Sequence, residues 1–347
     1  MKKKRVWLNI IGLLFFALAM PLFFRMGGGK IAMAEVLPGQ AVTEGLSFSA
    51  LFEKEEQTMV SAGLIGADDV EFTQTKAISA GGRPLYVTAE ELSKMKDISY
   101  LRSKYYIVDS RTAFLEKDVQ AEQALSLDLT IEKTKQNPKI LIFHTHIHEG
   151  FADSDMSKGL SEGIWGVGEE LKRILEEEYG IAVLHDAGQY DVVNGKGQTT
   201  GAYERMEPPI REILKKYPSI EVCIDLHRDG VPEGTRLVTE IDGKQTAQVM
   251  FFNGLCRLNK NGTPQPVSGL ENPYIRENLA FSLQMKTAAD SLFPDFARKI
   301  YLNAYRFSLH FMPRSSLVEV GAQTNTKAEA KNAMKPLARI LAEVLTE

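Results

Sequence analysis

The chain has 347 residues, 44% hydrophobic and 25% charged, which excludes wholesale disorder and collagen-like structure and suits one sizeable domain with appendages. With 41 Lys+Arg against 45 Asp+Glu the net charge is −4, so the basic excess of a general nucleic-acid binder is missing. Two cysteines, Cys223 and Cys256, are too few for a disulfide framework or a thiolate zinc site.

The N-terminus sets the compartment. Lys2-Lys3-Lys4-Arg5 precede Val6–Phe24, an uncharged run of 19 residues. At 1.5 Å per residue this run nearly spans a hydrocarbon core of about 30 Å. The cations in front of it leave the N-terminus in the cytoplasm and the body outside. Residues 1–25 therefore read as a cytoplasmic tip and single-pass transmembrane anchor. The rival is a signal peptide cleaved at Ala32-Met33-Ala34, and either reading exports the body.

Residues 26–136 read as a membrane-proximal region and linker. Gly27–Gly29 form a flexible exit, Leu46–Leu64 has patchy helical spacing, and Thr88-Ala89-Glu90-Glu91 is a capping box. Lys117–Pro138 is polar and reads as linker.

From residue 137 to 347 the texture is that of an α/β domain. Strands are expected at Ile140–Phe143, Ile181–Leu184, Ile220–Ile224 and Leu317–Val320. Helices are expected over Glu162–Tyr179, Ala202–Tyr217, from Asn272-Pro273 to about Leu292, and after a second capping box, Thr326 to Glu329. A hairpin is expected from Arg236–Ile241 and Thr246–Phe252 around Asp242-Gly243. Strands alternating with helices predict a mainly parallel sheet flanked by helices, with the ligand site at the carboxyl ends of the strands.

Those ends are chemically loaded. The first strand runs into His144-Thr145-His146-Ile147-His148-Glu149, the second into His185-Asp186, the third into Asp225-Leu226-His227-Arg228-Asp229, and the last into Glu319-Val320-Gly321. Five of the six histidines lie here. Imidazoles and one carboxylate are a zinc donor set, and a catalytic zinc takes three protein ligands and keeps one position for water. Asp186 and Asp225 read as turn residues or as supports for the ligands. A serine nucleophile would need an elbow of the G-x-S-x-G kind at the end of an apolar strand, and none of the four strand ends carries one, while Cys223 reads as a small buried hydrophobe.

The segments FHTHIHEGFADS (143–154), YGIAVLHD (179–186), CIDLHRDG (223–230) and LVEVGAQTNTKAEAKNA (317–333) resemble stage II sporulation protein P, a membrane-anchored cell-wall hydrolase family of endospore formers. That family is similar to the zinc-dependent N-acetylmuramoyl-L-alanine amidases, so the resemblance implies an amidase-like fold. It also implies Zn2+ held by His146, Glu162 and His227, with His144 and Glu149 as rival ligands and His148 as a bystander. Glu319 matches the catalytic Glu, and Asn325 matches the Asn closing that segment. Glu319 would take a proton from water and deliver it to the leaving amine. Arg205 and Arg228 would bind substrate carboxylates. The implied activity is cleavage of the N-acetylmuramoyl-L-alanine amide in septal peptidoglycan during engulfment, with endopeptidase action on cross-links. The implied partners are peptidoglycan, the membrane and sporulation proteins D and M, and the implied location is the intermembrane space of the sporulating cell. The alternative is a membrane-tethered wall-binding scaffold without catalysis.

Overall fold

Seven short segments, each bounded by turns or helices, pair into one sheet: β1 (Tyr106–Val108), β2 (Ile140–Phe143), β3 (Val183–His185), β4 (Val222–Asp229), β5 (Val249–Gly254), β6 (Ile300–Asn303) and β7 (Ser315–Ala322). Their order across the sheet is β1-β6-β5-β7-β4-β2-β3. Every neighbouring pair is parallel except β5 and β7. Parallel neighbours need long crossovers, and helices supply them. Helix α1 (Ile164–Glu177) joins β2 to β3, α2 (Ala202–Lys216) joins β3 to β4, and α3 (Ile275–Leu292) lies between β5 and β6. After β7 come α4 (Lys327–Asn332) and α5 (Met334–Thr346). The expected α/β class with a mainly parallel sheet is the one observed.

These coordinates form a computed structural model, which describes residues 76–78 and 84–346. The anchor expected at Val6–Phe24, the alternative cleavage site at Ala32-Met33-Ala34 and the Leu46–Leu64 stretch lie outside the described residues. Among the described residues no helix is long and apolar enough to cross a membrane.

Strand alternation decides which layer each side chain joins. Ile140 and Ile142 face the main core, with Ile224, Leu226, Phe251 and Val318 and the apolar stripes of α1, α3 and α5. Leu141 and Phe143 face the opposite side, with Cys223 and with Met206 and Ile210 of α2. Each fully buried Leu, Ile or Phe contributes about 1.5–3 kcal/mol, so the face carrying three helices holds most of the stability. The α2 face holds a smaller apolar cluster.

The crossover geometry places a site. From β2 the chain moves to the edge strand β3 and returns through α2 to the other side of β2 as β4. The carboxyl ends of β2 and β4 flank this reversal, which is where open α/β sheets bind ligands.

Several expectations need correction. The boundary at 136/137 does not divide the described residues: Tyr106–Val108 is the edge strand β1, paired with β6. Lys117–Pro138 is not a free linker either. Its apolar residues Val119, Leu125, Leu129 and Ile131 are buried, and a short helix, Ala121–Ser126, is held by Gln284 Nε2 of α3 donating to the carbonyls of Ala124 and Leu127. The hairpin arms are Val238–Ile241 and Lys244–Ala247. Asp242 and Gly243, at φ +51° and +73°, make its two-residue turn, while Val249–Gly254 leaves the hairpin to become β5. The Thr326/Glu329 capping box is present on both sides, whereas Thr88 caps its helix from one side only, accepting from Glu91 N.

Candidate active site

β4 continues well past the expected Ile224 to Asp229, so Asp225, His227 and Asp229 are strand residues and not loop residues. By alternation they stand on the α2 face with Cys223. In the parallel register Glu319 of β7 sits beside His227. β2 ends at Phe143, and the turn that follows brings His146 against His227, ring centroids 5.4 Å apart.

Asp225 orders this corner. It is 1% exposed, accepts from Thr145 N at 2.9 Å and Thr145 Oγ1 at 2.7 Å, and receives His227 Nε2 at 2.7 Å. Burial alone would raise its pKa, but His227 and the Thr145 backbone bond outweigh it and hold the carboxyl at about 2. With Nε2 committed to Asp225, His227 presents Nδ1 to the site, where Glu149 Oε2 lies 3.5 Å away. A carboxylate fixing the far nitrogen of an imidazole is the arrangement that aims the near nitrogen at a metal. Burial opposes protonation of His227, but Asp225 and Glu149 outweigh it and raise its pKa. Glu149 also accepts from Arg228 N at 2.9 Å. Burial pushes its carboxyl up, and His227, Arg228 and His146 bring it below the ordinary value.

Two polar atoms here are buried without a hydrogen-bond partner: His146 Nδ1 and Glu319 Oε2. Orphaned groups of this kind cost free energy unless something else uses them. Burial, and next the charge of Asp229, raise the Glu319 carboxyl well above the usual range. Tyr203, at the start of α2, roofs the cluster with its ring edge-on to His146 at 5.8 Å. Nothing in the sequence marked Tyr203, because it enters a helix behind Gly201 and belongs to no motif.

The remaining expected residues are not brought together here. Glu162 is a correction. Its carboxylate pairs with Lys327 Nζ and accepts from Asp155 N at 3.3 Å on the surface. Ser154 Oγ donates to the Glu162 carbonyl and Ile164 N donates to Glu149 O, so the loop closes on itself and turns the Glu162 side chain outward. His144 is fully buried, and both of its ring nitrogens are engaged, by Leu226 O and His185 Nε2, each at 2.7 Å. His148 pairs with Asp191.

The substrate-binding candidates serve the fold. Arg205 holds the loop before α2 through the carbonyls of Tyr190, Gln198 and Thr200. Asn325 is fully buried between Ala322 N, Leu237 O and Glu329. Arg228 Nε donates to Gly150 O and Nη1 to Asp229 O, which fixes the loop carrying Glu149.

A family model described as stage II sporulation protein P matches residues 71–342. The chain belongs to that family. No match is found among curated proteins. Three solved structures are similar to parts of this stage II sporulation protein P member. The N-acetylmuramoyl-L-alanine amidase AmiC2 of Nostoc punctiforme is 13% identical, with 59% of this chain and 96% of that chain covered and a TM-score of 0.33. The CwlD amidase of Clostridioides difficile, solved with the GerS lipoprotein, is 10% identical, with 59% and 98% covered and a TM-score of 0.36. The catalytic domain of the amidase CwlV from Bacillus (Paenibacillus) polymyxa is 14% identical, with 59% and 95% covered and a TM-score of 0.31. These likenesses assign no residue of this chain.

Among the described residues no group of three or more His, Cys, Asp or Glu side chains is arranged to hold a metal ion. The donor chemistry nevertheless suits zinc. Two ligands at about 2.0–2.1 Å from one tetrahedral ion stand roughly 3.3–3.4 Å apart, and Glu149 Oε2 and His227 Nδ1 are 3.5 Å apart. His146 Nδ1 is buried and unpartnered, and the His146 ring stands 5.4 Å from that of His227.

Proposed function

We propose that this stage II sporulation protein P member is a membrane-anchored peptidoglycan hydrolase that cleaves the N-acetylmuramoyl-L-alanine amide, and peptide cross-links as well, in septal wall during engulfment. The observation that carries the reading is the pairing of Glu319 with His227 in register at the switch point, with Glu319 Oε2 and His146 Nδ1 both buried and unpartnered. His146, Glu149 and His227 would hold zinc, which when bound supplies Lewis acidity to a carbonyl and a more acidic water. Glu149 thus takes the place expected of Glu162. Asp225 keeps His227 oriented and Arg228 keeps Glu149 in place. Glu319, in its low-dielectric position, is suited to take a proton from water and return it to the leaving amine. The proposal includes anchoring by Val6–Phe24, a domain outside the cytoplasm, and association with sporulation proteins D and M.

Isolated cell wall incubated with the purified chain should release soluble fragments that mass analysis identifies as free stem peptides, and chelator should stop the release. Glu149→Ala should lose bound zinc after desalting, whereas Glu162→Ala should keep it. The opposite metal contents would return Glu162 to the ligand set. Wall left intact by the metal-loaded chain would favour a scaffold without catalysis.

A further inference from the structure

A groove of about 300 Å³ opens between the first turn of α2, at Tyr203 and Glu204, and the segment Tyr305–Phe307. Its inner wall is Tyr203, which touches His146, so the groove starts at the reactive cluster. Its outer lip is Tyr305, 37% exposed, the one exposed large hydrophobic side chain among the described residues. The Arg111 guanidinium lies 5.3 Å from the Tyr305 ring centroid and is gripped in turn by Asp109 through Nε and Nη2. This fixes the ring without burying it.

The segment is also held rigidly. A Cβ at Gly254 would stand 2.0 Å from the Tyr305 carbonyl oxygen, so β5 and this segment meet backbone to backbone. Phe307 has φ +52°, a conformation costly for an aromatic residue, and its ring is wedged between Tyr203 at 5.4 Å and Phe252 at 4.7 Å. Local strain beside an exposed, immobilised aromatic ring gives the fold nothing, and such features gather where ligands bind.

We propose that this groove is a subsite for a sugar ring of the glycan strand next to the cleaved bond, with Tyr305 as the platform for the ring's C–H face. Glu204 and Arg306 would meet its hydroxyl and acetamido groups. The inference rests on the peptidoglycan-hydrolase reading. The charge pattern favours sugar over peptide. Arg306 is already paired with Glu207 at 2.7 Å, so it offers no uncompensated cation to a peptide carboxylate. Glu204 would repel an acidic stem peptide. A neutral ring with polar rim and apolar face fits an aromatic platform flanked by one ion pair and one carboxylate.

The test uses the full-length chain in detergent, carrying Glu319→Gln to prevent turnover, titrated separately with peptide-free glycan oligosaccharides and with free stem peptide. Tyr305→Ala should weaken glycan binding by about tenfold, leave peptide binding unchanged and leave the melting temperature in place. Tyr305→Trp should restore glycan binding. If Tyr305→Ala binds glycan as the parent does, or loses peptide instead, or if glycan does not bind while the Glu319-bearing chain digests wall, the subsite is wrong and the hydrolase reading stands. If neither ligand binds and no wall is digested, the hydrolase reading fails with it.

Discussion

His144 and His146 stand two residues apart and belong to different chemistries. His144 continues the Ile140–Ile142 alternation into the main core. Its Nδ1–H donates to Leu226 O, so its Nε2 must accept, and His185 Nε2–H supplies that bond. His185 Nδ1 and Glu169 then share one proton, and Trp165 stacks on His185 at 5.2 Å. Every imidazole nitrogen of this cluster has a protein partner, while Trp165 Nε1 is buried without one. His146 lies past the strand, on the α2 side, with one buried nitrogen unclaimed beside His227 and Glu149. A histidine saturated by protein groups holds the fold, whereas one with an unclaimed nitrogen facing carboxylates is available for chemistry.

The largest expected effect that separates the clusters is on turnover. Glu319→Gln keeps size and hydrogen-bonding capacity but cannot take a proton, so wall digestion should slow by about 10²–10⁴-fold. Metal content and melting temperature should stay put. A Gln variant digesting wall at the parental rate would remove Glu319 from the chemistry.

Next comes packing in the saturated cluster. A Cβ at Gly168 of α1 would stand 2.7 Å from His185 Nε2 and 3.0 Å from His144 Nε2. Ala gains about 1 kcal/mol over Gly in a helix, but overpacking two rings pinned by hydrogen bonds costs roughly 1–3 kcal/mol, and the clash should win. Gly168→Ala should therefore lower the denaturant midpoint while zinc content is retained. A stabilised variant would show that the His144–His185 pair is loose.

The pH dependence is smaller and has a sign for each cluster. Burial lowers the His144 pKa to about 3. Below the unfolded value near 6.5 the unfolded chain takes up a proton that the native chain refuses, so stability falls with pH by roughly 1.4 kcal/mol per unit, or about 2 kcal/mol from pH 6.5 to 5. His227 acts in the opposite sense. Its pKa is raised by Asp225 and Glu149, so in metal-free protein its stabilisation is full below pH 6.5 and is lost as pH rises through the folded value. Denaturant unfolding of chelated His144→Asn should flatten the acid limb, and that of His227→Asn should flatten the alkaline limb. Parallel limbs in both variants would end the distinction between the clusters.

Much was legible in the residues themselves. The strand runs Ile140–Phe143 and Leu317–Val320, the stripe of Ile164, Val167, Leu171, Ile174 and Leu175, and the Thr326/Glu329 box fix their local structure through alternation, helical period and capping, all short-range effects. Strands ending in His, Asp and Glu also marked the edge of the sheet where His146, His227 and Glu319 gather. Tertiary structure decided the rest. β1 and β6 are three- and four-residue strands with no pattern of their own, stabilised by pairing. Whether Glu149 or Glu162 faces His227 depends on how the loop between them closes, and Lys327, more than 160 positions away in the chain, claims Glu162. Tyr203 reaches His146 because α2 crosses back over the sheet, and no local rule reports a contact between residues 57 positions apart. Periodicity records which face a side chain takes, but which distant groups meet there is set by the packing of the whole sheet.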